Sequence, residues 1–176
     1  ELARFAGLYW RRGTDTYRKL SVKDGALRVG FDETAAALKA VAANRFAGRT
    51  SDLVFEPGDG GRMGLVEMAP SAGAKPVPFE QVEQSAPTAA EMAQFAGAYR
   101  SEEIEPTYRV VVEDGKLVLR RLKFPPQTLT PLVRDAFATS TGVIRFTRDS
   151  KGRVSGCLLN TGRVRHFAFA RLADGR

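Results

Sequence analysis

The chain has one cysteine, one histidine and no long apolar run, and each shortage removes a class of function. With Cys157 alone, no intrachain disulfide can form. With His166 the only histidine, no His-His or His-Cys metal cluster is available, and zinc chemistry needs at least three protein ligands. No stretch approaches the roughly 20 apolar residues that a membrane-spanning helix requires. The opening Glu1-Leu2-Ala3-Arg4 has no signal-peptide pattern, and a start without Met reads as a fragment of a longer parent. Nowhere does S-x-x-K occur, so the serine nucleophile and lysine of penicillin-recognising chemistry are missing from this segment. Neither a cofactor nor a metal is expected.

What is present is ordinary globular composition. The 176 residues are 43% hydrophobic and 27% charged, which predicts a packed core rather than disorder. The net charge is +7. Residues 1 to 88 hold 12 basic against 11 acidic side chains, and residues 89 to 176 hold 15 against 9, so the excess lies in the second half. Such a balance permits an acidic partner. Nucleic acid is not the expected one, because it calls for exposed aromatics interleaved with the basic residues, and the aromatics here mostly fall at repeat-matched positions, which reads as core.

The strongest signal is internal repetition. FAGLY at Phe5 to Tyr9 returns as FAGAY at Phe95 to Tyr99, and Tyr17-Arg18 is matched to Tyr108-Arg109, Asp24-Gly25 to Asp114-Gly115, Phe46 to Phe137, Phe55 to Phe146, Gly61-Arg62 to Gly152-Arg153 and Phe79 to Phe169. The chain is therefore divided into a first repeat over 1–84, a linker over 85–90 and a second repeat over 91–176.

Each Asp-Gly lies between β-rich runs, the pattern of a two-residue hairpin. In the second copy, Gly97 to Arg100, Tyr108 to Glu113, Lys116 to Arg121, Gln127 to Val133, Ala136 to Thr139, Val143 to Arg148, Arg153 to Asn160 and Arg163 to Arg171 read as short strands, with turn residues between them. The first copy divides likewise. The Ala-rich Glu33 to Ala43 favours helix by propensity, but its counterpart carries Pro131, with Pro125 and Pro126 just before, so strand is predicted. Thr88-Ala-Ala-Glu91 has the form of a capping box and predicts a helix to about Phe95, with Glu1 to Phe5 as its equivalent. Pro70 to Pro78 reads as a loop. The expected fold is all-β: two tandem, small, antiparallel up-and-down barrels of about eight short strands each, each preceded by a short helical turn. Strands of five to seven residues make a barrel only about 16 to 23 Å tall, which the matched aromatics are expected to fill.

No catalytic residue is expected. Ser140-Thr141-Gly142 and Asn160-Thr161-Gly162 read as turns, His166 as a structural or surface histidine, Cys157 as a buried inert thiol, and Glu102, Glu103 and Glu105 as a solvated acidic loop rather than an acid–base group. Arg120, Arg121 and Lys123, with Arg163 and Arg165, are the candidates for a ligand or interface face, because guanidinium groups dock carboxylate or phosphate bidentately.

The order FAG-x-Y, Tyr-Arg, strand, Asp-Gly, strand, Val-x-Phe and Gly-Arg-Val resembles the C-terminal modules of penicillin-recognising serine hydrolases, the class C β-lactamase-related and D-aminopeptidase-type proteins. The resemblance implies lipocalin-like barrels that follow a catalytic domain in the same parent chain, and a periplasmic or secreted location. It carries over no catalytic residue, since the family's Ser, Lys and Tyr have no matching position. The implied function is a non-catalytic accessory region that packs on the catalytic domain and shapes substrate access. The alternative from the residues is a lipocalin-like binding module for a small or anionic ligand.

Overall fold

The computed structural model describes residues 1–31, 35–69, 71, 73–103, 107–162 and 164–173. Its contacts separate two compact units, Glu1–Glu83 and Gln84–Arg176. Each is an antiparallel barrel, and the expectation of two tandem all-β barrels holds.

The second unit is the simpler. A helix, α1 (Ala89–Phe95), leads into β10 (Gly97–Arg100), β11 (Tyr108–Glu113), β12 (Lys116–Arg120), β13 (Gln127–Pro131), β14 (Ala136–Ala138), β15 (Gly142–Arg148), β16 (Val154–Thr161) and β17 (Val164–Arg171). These eight strands pair in chain order, and β17 closes on β10. Closure leaves no sheet edge to template aggregation.

In the first unit a 3-10 turn, Leu2–Phe5, takes the place of the helix. It precedes β1 (Gly7–Arg11), β2 (Thr16–Lys23), β3 (Ala26–Val29), β4 (Ala36–Ala37), β5 (Lys39–Ala42), β6 (Arg45–Ala47), β7 (Asp52–Pro57), β8 (Met63–Met68) and β9 (Val77–Val82). The strand order ends on β4 at one edge and β5 at the other, with only Leu38 between them. One bent strand is thus shared across the seam: β4 pairs with β3, β5 pairs with β6, and the Leu38 amide donates to the Leu27 carbonyl at 2.8 Å. The expected strand in the Ala-rich segment is present over Ala36 to Ala42, and Glu33 and Thr34 lie outside the described residues.

The FAG-x-Y motif is a corner that seals one end of each barrel. Phe5 and Phe95 end the helical turns and drop into the core. Gly7 and Gly97 follow at φ +142° and +157°, where a Cβ would lie 2.9 Å from the Gln81 amide nitrogen and 3.0 Å from Arg171 Nε, so glycine is required at both. Tyr9 and Tyr99 then donate their buried hydroxyls back to the Phe5 and Phe95 carbonyls at 3.1 and 2.6 Å. The intervening carbonyls, on Ala6 and Ala96, accept from Gln81 at 3.0 Å and from Arg171 at 2.7 Å.

Behind each corner sits the same aromatic trio. Ring centroids of Phe5, Phe46 and Phe55 lie 4.5, 5.3 and 5.7 Å apart, and those of Phe95, Phe137 and Phe146 lie 4.6, 5.2 and 5.7 Å apart. Tilted and edge-on pairs at these distances contribute beyond their buried area. The trios lie in the buried core of each barrel.

Local expectations follow suit. Both hairpin turns hold Asp-Gly with positive φ, at Asp24, Gly25, Asp114 and Gly115. The Thr88 and Glu91 capping box is complete at α1. Three readings need correction. The loop expected through Pro78 ends earlier, since Val77 and Pro78 open β9, a place where proline is tolerated; Pro70 and Ala72 lie outside the described residues. Asn160 and Thr161 belong to β16, not to a turn. The pairing of Tyr17 with Tyr108 is off by one: Tyr9 faces Arg18 across β1 and β2, whereas Tyr99 faces Tyr108 across β10 and β11, so Arg18 is the counterpart of Tyr108.

Candidate functional site

Of the groups named from sequence for chemistry, the cysteine is buried, and the histidine and the described glutamates are exposed. Cys157 is 2% exposed, and burial pushes its thiol up to about 12, far from a nucleophilic thiolate at neutral pH. His166 is exposed, with φ +54°, and its backbone amide donates to Asn160 Oδ1 at 2.8 Å. Glu102 and Glu103 are exposed in the loop after β10, and Glu105 lies outside the described residues. Ser140 and Thr141 form the β14–β15 turn, where the Thr141 and Gly142 amides donate to Thr139 Oγ1 at 3.3 and 2.9 Å. Among the described residues no three His, Cys, Asp or Glu side chains converge as a metal site would need.

Among the described residues the basic candidates fall on two parts of the second barrel, the end of β12 with the loop after it, and β17. Arg120 ends β12 and is paired with Glu113, its Nε donating at 2.8 Å and its Nη2 lying at 2.7 Å. Arg165 is exposed near the start of β17. Between β12 and β17 stand β10 and β11 on the short way round the barrel. Arg163 lies outside the described residues. Arg121 and Lys123 occupy the loop between β12 and β13, and what surrounds them was not visible in the sequence. Leu122 and Phe124 are 74% and 60% exposed there, the highest values among the described large hydrophobic residues. The Arg121 guanidinium stacks over the Phe124 ring at 4.7 Å, and Lys123 turns the chain with φ +65°. Two bulky apolar groups alternating with two cations make a loop shaped for contact.

A cleft of about 480 Å³ lies beside α1, and Arg148 is part of its lining. The guanidinium forks onto Asp135, with Nε at 3.1 and 3.0 Å from the two carboxylate oxygens and Nη2 at 2.7 Å. Its Nη1 donates to Gln94 Oε1 at 3.0 Å and to the Gly152 carbonyl at 2.8 Å. Asp135 holds Arg148 above its usual range. The arginine thus clasps α1, the β13–β14 corner and β15, leaving little donor capacity for a ligand. The first barrel does without it: Asn44 stands for Asp135 and bonds the Phe55 carbonyl directly at 2.8 Å.

The open mouths of the barrels differ most. In the second, Tyr108 stacks on Phe169 with centroids 4.5 Å apart, and Leu159 and Phe167 pack beside them on the core. In the first, Arg18 replaces Tyr108 and lies over Phe79 at 5.2 Å, while Glu67, opposite Val77, replaces Leu159, opposite Phe167. Arg18 Nη2 bonds Glu67 Oε2, and Ser51 Oγ donates to Glu67 Oε1 at 2.6 Å. The pair borders a cleft of about 180 Å³. The pair is absent from the sequence reading; the signal that could have found it is strand alternation, which puts Arg18 on one face with Leu20, and Glu67 with Leu65.

No family model matches the chain, and no curated protein is similar enough to count as a relative.

Proposed function

We propose that the chain is a non-catalytic accessory region of a β-lactamase-related serine hydrolase or peptidase, packing on the catalytic domain of the same parent chain and shaping substrate access. The observation that carries this reading is the contact loop of the second barrel. Leu122 and Phe124 stand in solvent, alternating with Arg121 and Lys123, while the core aromatics Phe5, Tyr9, Phe46, Phe55 and Phe79 and their counterparts in the second copy are buried. A filled barrel with one protruding apolar and basic loop is suited to docking rather than to turnover. The parent family comes from the resemblance of the FAG-x-Y and Asp-Gly pattern, and a periplasmic or secreted location comes with it.

The coding sequence upstream of Glu1 tests the reading. An S-x-x-K followed by Y-x-N supports it; a start codon and signal peptide directly ahead of Glu1 contradicts it.

The alternative, a lipocalin-like binding module, has one observation in its favour. Aromatic side chains pack in the core of each barrel, and the first barrel has a cleft lined by Arg18, Arg49 and Glu67.

A further inference from the structure

We propose that the mouth of the first barrel binds a small monocarboxylate carried on a short apolar body, with Arg49 as its principal anchor. The inference rests on the binding-module reading and is independent of any catalytic partner.

The second barrel shows what the scaffold does when this place is merely filled: it uses Tyr108, Leu159 and Phe167, all packed on the core. The first barrel instead holds Arg18 and Glu67, with side chains 29% and 16% exposed. Replacing a desolvated ion pair by packed apolar groups is often neutral or stabilising, so folding alone does not call for the pair. Both Glu67 oxygens are engaged, one by Arg18 and one by Ser51, so the carboxylate is not offered to a cation.

Arg49 lines the same cleft from the β6–β7 turn. It is exposed and has no ion-pair partner among the described residues. With Arg18 balanced by Glu67, Arg49 gives the lining one net positive charge. The turn that presents it is fixed: Gly48 donates its amide to the Ser51 carbonyl at 2.9 Å, and a Cβ at Gly48 would sit 2.7 Å from that oxygen. A guanidinium fork matches a carboxylate in shape as well as charge. The lining also includes the apolar Val29, Leu38 and Leu53. The volume of about 180 Å³ falls below the roughly 300 to 1,000 Å³ of drug-sized pockets, which limits the ligand to a short acid.

The test is an amide NMR titration of the whole chain at pH 7 and constant ionic strength, with sodium butyrate as the probe and butylamine hydrochloride and sodium phosphate as comparators. Saturable butyrate shifts confined to Gly48–Ser51 and Val29, weakened about tenfold or more in Arg49→Ala with the rest of the spectrum unchanged, are expected. Arg49 is exposed, so its loss leaves folding intact. The proposal is overturned if butyrate gives no saturable shift, if butylamine shifts the same amides equally, if shifts of equal size appear around Arg120 and Arg165, or if phosphate binds there more tightly than butyrate.

Discussion

The Tyr99 hydroxyl donates to the Phe95 carbonyl at 2.6 Å, closing a corner of five residues, and Tyr9 repeats it on Phe5. Both tyrosines are wholly buried, and burial raises the pKa of each hydroxyl. Replacing either by Phe leaves a carbonyl at a helix end without its donor. Tyr9→Phe and Tyr99→Phe should each destabilise their own barrel by about 1 to 3 kcal/mol, measured by urea unfolding. A neutral result in both would show that the corner does not hold the helical plug.

The same corner explains how far the sequence could be read. Phe, Gly and Tyr recur because each has a separate physical duty there, so the repeat was legible and the fold followed. The mouth of the first barrel was not. Matching Tyr17 to Tyr108 by residue type hid the fact that Arg18 occupies the core-facing position, since the ladder keeps Leu27 opposite Leu117 in the repeat and adds a residue only before Leu129. The Arg148 clasp was equally hidden, because Asp135, Gln94 and Gly152 come from three separate elements. Local pattern finds turns and faces; contacts across elements need the closed barrel.

Arg148 and Asp135, with side chains 22% and 17% exposed, should behave as a coupled pair. Arg148→Met leaves a carboxylate half-buried without its fork, and Asp135→Asn keeps a residue type that tolerates the observed φ of +60°. Each single change should destabilise the second barrel by about 1 to 3 kcal/mol, and the double mutant should lose less than the sum. Strict additivity in the unfolding free energies would mean that the pair is idle.

Glu91 accepts from the Thr88 amide at 2.8 Å and the Thr88 hydroxyl at 2.9 Å, and the backbone bond, then the side-chain one, holds its carboxyl below the usual range. A depressed folded pKa means that the cap stabilises the fold above the unfolded value and that this contribution is lost as pH falls through the folded one. The Glu91 carboxyl should therefore titrate below the ordinary glutamate value of about 4.3 in an NMR pH series. Thr88→Ala should move it back up and destabilise α1 by about 1 kcal/mol. A midpoint at the ordinary value in the unaltered protein would contradict the cap.

Cys157 sits inside the second barrel with its thiol pushed up to about 12. At pH 8 it should resist a thiol-reactive reagent until the barrel unfolds, so labelling should follow the urea transition. Rapid modification of the folded chain would place a reactive thiolate where the structure places an inert one.

The account stands on the accessory role, and a deletion in the parent protein tests it most directly. With the proposed catalytic domain ahead of Glu1, removing residues 1–176, and separately introducing Leu122→Ser with Phe124→Ser, should leave that domain's nucleophile reactive. Both changes should alter its kcat/KM, its substrate preference or its Tm, and the double substitution should leave the stability of the barrels within about 0.5 kcal/mol. Rate constants, preference and thermal stability all unchanged by the deletion would contradict the account.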